Sequence, residues 1–140
     1  MKKLIFSIVF IVAMSMVCGQ SYAQNKLTIV VDGIEEIKGK LFVALFNSSS
    51  TFLKKGYKGQ IVDIESNVIE IEFRDIPSGE YAISVYQDEN NNGKLDTGLF
   101  GIPTEKYAFS NSAEGFMGAP SFKSCKFNIE RDETIHLTIK

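Results

Sequence analysis

Ile69-Glu70-Ile71-Glu72-Phe73-Arg74-Asp75-Ile76-Pro77-Ser78-Gly79-Glu80-Tyr81-Ala82-Ile83-Ser84-Val85-Tyr86 reads as two strands joined at a corner. Ile69, Ile71 and Phe73 alternate with Glu70 and Glu72. Tyr81, Ile83 and Val85 alternate with Ala82, Ser84 and Tyr86. A period of two sends successive side chains to opposite faces, so each run has one face for a core. Pro77-Ser78-Gly79 supplies the turn between them.

The same period extends outward. Leu27, Ile29 and Val31 alternate with Thr28 and Val30, and Ile135, Leu137 and Ile139 alternate with Thr134, His136 and Thr138. Cys125, Phe127 and Ile129 alternate with Lys126, Asn128 and Glu130. Leu41 to Phe46 is a continuous apolar run, the pattern of a central strand covered on both faces. Residues 51–60 suit one helical turn or a loop. Turn-like breaks occur at Asp32-Gly33, at Lys38-Gly39-Lys40 and at Arg131-Asp132-Glu133. Short strands, regular breaks and no long helical period predict an all-β fold. The expected architecture is an antiparallel Ig-like or prealbumin-like β-sandwich of about seven strands with one long irregular loop.

The N-terminus predicts export. Lys2 and Lys3 precede an apolar stretch from Leu4 to Val17, and Ser21-Tyr22-Ala23 offers small residues where a signal peptidase reads. Residues 1–23 are therefore expected to be a signal peptide, and residues 24–140 a single β-sandwich domain. Val17 is large for the place before Cys18 and fits lipoprotein processing poorly, so a periplasmic or extracellular destination with no membrane span after cleavage is expected ahead of a lipoprotein anchored through Cys18. Losing Lys2 and Lys3 takes the formal charge from −2 to −4. A mildly acidic chain gives no footing for nucleic acid. One cysteine, Cys125, remains after cleavage, so no internal disulfide forms; its apolar neighbours predict a buried hydrophobe.

The chemistry-bearing stretch is Asp88-Glu89-Asn90-Asn91-Asn92-Gly93-Lys94-Leu95-Asp96. Oxygen-bearing side chains fall at alternate positions, glycine at the sixth and an acid at the ninth. This is the start of a D-x-[DN]-x-[DN]-G calcium loop, with Leu99 where the twelfth-position Glu belongs. Side-chain oxygens of Asp88, Asn90, Asn92 and Asp96 and the Lys94 carbonyl would bind Ca²⁺. Glu105 is the nearest later carboxylate to complete the shell, with Glu89 as the alternative. The spacing equally fits an Asx-rich turn, because Asn and Asp tolerate left-handed geometry and cap their own backbone without metal.

Residues 88–120 lack a strand or helix period yet contain Phe100, Ile102, Tyr107, Phe109, Phe116 and Met117. That is too apolar for a solvated linker, and too long for an ordinary connection. Phe100, Tyr107, Phe109 and Phe116 could form a ligand or partner surface. Scattered aromatics more often pin a loop to its own domain, which is the expectation here. His136 falls on the Thr134/Thr138 face and is expected at the surface, with no nucleophile or acid beside it.

The corner Asp75-Ile76-Pro77-Ser78-Gly79-Glu80-Tyr81 resembles the turn-into-strand of prealbumin-like modules such as the carboxypeptidase regulatory-type and collagen-adhesin B-type domains. That resemblance implies a tyrosine corner, with the Tyr81 ring buried and its hydroxyl returned to backbone. The segments from Tyr86 to Asp96, Phe100 to Glu105, Tyr107 to Asn111 and Gly118 to Phe122 resemble the secreted bacterial family called domain of unknown function 2141. Ala108 stands where that family often has glycine. The resemblance implies the sandwich fold and export, and carries over no activity.

Three roles compete at this level. The first is a non-enzymatic exported module with a protein or glycan partner at the cell envelope and Ca²⁺ in the 88–96 loop. The second is a small hydrolytic or carbohydrate-active protein using Asp88, Asp96 or Glu105. The third is an accessory subunit docking by a sheet edge or the aromatic loop.

Overall fold

The structure, a computed structural model, describes residues 24–140. The expected signal peptide and Cys18 lie outside the described residues. The strands are β1 (Gln24–Asp32), β2 (Lys40–Phe46), β3 (Lys58–Asp63), β4 (Ile69–Pro77), β5 (Gly79–Asp88), β6 (Tyr107–Phe109), β7 (Phe127–Ile129) and β8 (Glu133–Thr138). One short helix, α1 (Phe122–Cys125), precedes β7. The strands form two sheets. The smaller runs β4-β1-β8; the larger runs β3-β2-β5-β6, with β7 paired to one end of β5. The expected all-β sandwich is the fold. Its pairings are antiparallel except β1–β8, which is parallel.

The alternating residues meet between the sheets. Leu27, Ile29 and Val31 of β1 face Leu41, Val43 and Leu45 of β2 and Ile83 and Val85 of β5 across one core. Leu27, Ile29, Leu41, Leu45 and Ile83 have no exposed surface. Each such side chain contributes about 1.5–3 kcal/mol by leaving water. The corner forms as its resemblance implies: Tyr81 is buried, and its hydroxyl donates to the Pro77 carbonyl at 2.8 Å. His136 is exposed, as expected.

A second core covers part of the outer face of the larger sheet. Phe46 and Ala82 are cross-strand partners pointing away from the main core. Phe52, Phe109 and Cys125 pack on them. Phe52 sits at the centre, with ring centroids 5.1 Å from Phe46 and 5.7 Å from Phe122. Burial pushes the Cys125 thiol up to about 11. Ser110 ties this layer down: fully buried, its hydroxyl accepts the Ile83 N–H at 2.9 Å and donates to the Cys125 carbonyl at 2.6 Å.

Three local expectations change. The strand expected to start at Cys125 starts at Phe127. Ser121 caps the Ser124 N–H at 3.2 Å and folds 122–125 into a helical turn, which still buries Cys125. Residues 58–63 form an edge strand where sequence suggested only a turn or loop before residue 60. Its side chains serve the opposite sheet: Lys58 Nζ donates to the Arg74 carbonyl and Gln60 Nε2 to the Glu72 carbonyl, each at 2.6 Å. These bonds protect the β4 edge and leave β3 without an apolar stripe. The 88–120 stretch also contains one short strand, β6, paired with β5.

Candidate functional site

β5 ends at Asp88, and the chain turns at once. Gly39, opposite on the β2 side, makes room: a Cβ there would meet the Asp88 carbonyl at 2.0 Å, and its φ is +72°. Asp88 is 1% exposed. Its two carboxylate oxygens accept the N–H groups of Asn92 at 3.1 Å and Gly93 at 2.8 Å. Asn91 and Gly93 take left-handed φ of 58° and 81°, the conformation these residue types adopt at least cost.

The alternating side chains then gather. Asn90 Oδ1 accepts the Asn92 N–H at 3.0 Å, and Asn92 Oδ1 accepts the Lys94 N–H at 3.0 Å. Asn90 Nδ2 donates to Asp96 at 2.6 Å, and Asn92 Nδ2 donates to both Asp96 oxygens at 2.9 and 3.0 Å. Asn92 thus links the two acids, Asp88 through its backbone and Asp96 through its amide. The amide hydrogen bonds, from Asn92 first and then Asn90, hold the Asp96 carboxyl below its usual range. Lys94 is exposed and enters through its backbone.

Glu105 is brought to the same place, and it meets backbone. It is 7% exposed; Oε1 accepts the Glu89 N–H at 2.9 Å and Oε2 the Asp96 N–H at 2.8 Å. Its carboxylate therefore clasps both ends of the 88–96 loop. Glu89 turns outward to an ion pair with Lys38 Nζ at 2.9 Å, which also holds Glu36 at 2.6 Å. Leu99 stands 84% exposed on a hairpin beyond the loop.

Sequence reasoning missed Gly39, Lys38 and Gln87 as supports. Gln87 is buried, and its Nε2 donates to the carbonyls of Glu36 at 3.0 Å and Lys38 at 3.1 Å. It pins the β1–β2 connection beside the loop. The Lys38-Gly39-Lys40 turn signal pointed to this connection, but no local pattern tells which loop it will touch.

The donor set suits a hard cation chemically: two carboxylates and two amide oxygens, with Asp88, Asn90 and Asn92 held by backbone N–H groups and Asp96 by the two side-chain amides. Each carboxylate oxygen has a further lone pair. Among the described residues, no three of His, Cys, Asp and Glu gather as a metal-ligating group.

A concavity lies elsewhere on the molecule. An open groove of about 640 Å³ lies on the outer face of β3, β2 and β5. Phe42 and Tyr86 stack there with ring centroids 4.9 Å apart, and Tyr57 lines it as well. No described Asp, Glu or His lines it. Burial raises the Tyr86 hydroxyl, and the nearby Asp88 and Glu105 carboxylates raise it further.

The four aromatics of the irregular stretch divide. Phe109 is buried in the second core, and Tyr107 packs on it with ring centroids 5.8 Å apart. Phe100 and Phe116 are 98% and 94% exposed. Pinning therefore describes Tyr107 and Phe109 and fails for Phe100 and Phe116. Among the described residues, no helix is long and apolar enough to cross a membrane.

No curated protein and no solved structure matches the chain. Residues 29–136 match the family model described as "uncharacterized protein conserved in bacteria" (DUF2141), and the chain belongs to that family.

Proposed function

We propose that this protein is an exported, non-enzymatic β-sandwich module whose 88–96 loop takes Ca²⁺ and thereby holds the 88–120 excursion in place. The observation that carries the reading is the meeting of Asp88 and Asp96 through Asn92, with Asn90 closing on Asp96. Acids gathered within one loop and bridged by one asparagine suit a cation; acids that work on a glycosidic bond must flank a cleft about 5–9.5 Å apart. The lowered Asp96 carboxyl suits a ligand and not a proton donor. The groove on the outer face has no carboxylate in its lining, which weighs against the hydrolytic alternative.

In this reading Ca²⁺ supplies positive charge between Asp88 and Asp96, and the amide oxygens of Asn90 and Asn92 turn toward it. Glu105 orients the loop from outside by its two N–H contacts. The carboxylate count suits an affinity on the order of 10⁻⁴ M, useful in calcium-rich surroundings outside the cytoplasm. A second reading rests on the amide groups themselves: both Nδ2 atoms face Asp96, so the hydrogen bonds close the loop without an ion.

Calorimetric titration of Ca²⁺ into the chelator-treated mature chain separates the two. The metal reading expects saturable binding and a melting temperature that rises in millimolar Ca²⁺. At a hundredfold excess over Kd the gain is about 2.7 kcal/mol. Asp88→Ala and Asp96→Asn should abolish or weaken it. Absence of heat and of any thermal shift in the unaltered protein would leave the Asx-turn reading in its place.

A further inference from the structure

The 97–104 segment is a hydrogen-bonded hairpin that holds its apolar side chains out of the protein. Thr97 pairs with Pro103, Gly98 N–H donates to the Ile102 carbonyl at 2.8 Å, and Thr104 N–H donates to the Asp96 carbonyl at 2.9 Å. Glu105 fastens the base through Asp96. At the tip Leu99, Phe100 and Ile102 are 84%, 98% and 64% exposed. Phe100 takes a left-handed conformation (φ 63°, ψ 18°) and Gly101 follows at φ 72°. A bulky residue adopts that region only under constraint, and such strain concentrates where a segment contacts something. The excursion repeats the device: Phe116 and Met117 are 94% and 93% exposed, with Met117 at φ 56°.

We propose that the 97–104 hairpin is a membrane-inserting tip, with Leu99, Phe100 and Ile102 entering the headgroup–acyl boundary of a bilayer with neutral headgroups. Three side chains on a convex tip fall well short of the roughly 800 Å² per partner that a stable protein complex buries. A bilayer asks for apolar surface and no matching shape, and Phe and Leu are the side chains that serve there. No residue from 97 to 104 is ionisable, and the chain is net acidic, so insertion is apolar and gains nothing from anionic lipid. The proposal uses the export reading for access to a membrane, and does not depend on bound Ca²⁺.

The test is flotation of the purified protein with phosphatidylcholine vesicles, at low and high salt, in millimolar Ca²⁺ and in chelator. Binding in either Ca²⁺ condition, undiminished by salt, is expected. Leu99→Ser with Phe100→Ser should lower it roughly tenfold or more. Their exposure means the melting temperature should not move. The chain has no tryptophan, so Phe100→Trp gives a single reporter whose emission should shift to the blue on vesicles. The proposal fails if the protein does not float in either Ca²⁺ condition, or if the double variant floats equally. It also fails if binding needs anionic lipid and vanishes in high salt, or if Phe100→Ser instead dissociates a dimer found in solution. Calorimetry reads the metal site separately, so loss of one proposal leaves the other standing.

Discussion

Glu105 Oε2 accepts the Asp96 N–H at 2.8 Å while its Oε1 accepts the Glu89 N–H at 2.9 Å. One buried carboxylate thus closes a loop whose ends lie seven residues apart in sequence. Charged acceptors make the stronger backbone hydrogen bonds, and buried N–H groups without partners are unfavourable. Glu105→Ala should therefore destabilise the protein by about 2–3 kcal/mol. Denaturant unfolding measures the loss, and hydrogen exchange should show the Glu89 and Asp96 amides losing protection before the β2 and β5 amides. Uniform exchange across all of these would show that the clasp is not local.

Asp96 makes the loop sensitive to acid. Its folded-state carboxyl is held below the ordinary value of 3.8 by Asn92 and Asn90. A depressed folded value means the stabilisation is fully present above the unfolded value and is lost as pH falls through the folded one. The loop should thus keep its structure at neutral pH and loosen below about pH 4. Asp96→Asn should flatten the melting temperature across that acid window. Carboxyl titration by NMR checks the midpoint directly.

Gly39 should not tolerate a side chain. Its φ is +72°, and a Cβ on it would come within 2.0 Å of the Asp88 carbonyl oxygen. Gly39→Ala should destabilise the fold by more than about 1 kcal/mol. It should also move the amide resonances of residues 88–93 more than those of β8.

Ser110 joins two layers. Ser110→Ala strands the Ile83 N–H and the Cys125 carbonyl in a site with no exposed surface, for a loss of about 1–3 kcal/mol. The expected signature in urea is a lower midpoint with an unchanged slope.

Cys125 should be inert while the protein is folded. Its thiol is fully buried and pushed up to about 11, so little thiolate exists at neutral pH. A thiol reagent should react only as fast as the second core opens. Ser110→Ala should accelerate that reaction, and a rapid reaction of the unaltered protein would contradict the packing described.

Much of the frame is legible in local pattern. Alternation in β1, β4, β5 and β8 reports which face each strand buries, because side chains on a pleated backbone must point to opposite sides, and the unbroken apolar run of β2 marks a strand covered on both faces. The Tyr81 corner and the 88–96 spacing are legible for the same reason: both are made by residues close in sequence. β3 escaped because an edge strand whose Lys58 and Gln60 reach across to β4 carries no apolar stripe. β6 escaped because three residues are too few for a period.

The amino-acid sequence by itself determined the β-sandwich, the corner and the row of oxygen-bearing side chains that Asp88, Asn90, Asn92 and Asp96 present. Only the tertiary structure decided that Glu105 clasps the Asp96 backbone while Glu89 turns to Lys38, and that Phe109 enters a core while Phe100 stands in solvent. Phe100 and Phe109 are the same residue in the same irregular stretch. Their fates differ because burial there depends on what other segments bring: Phe52 and Cys125 to Phe109, and nothing to the end of a hairpin braced by its own hydrogen bonds.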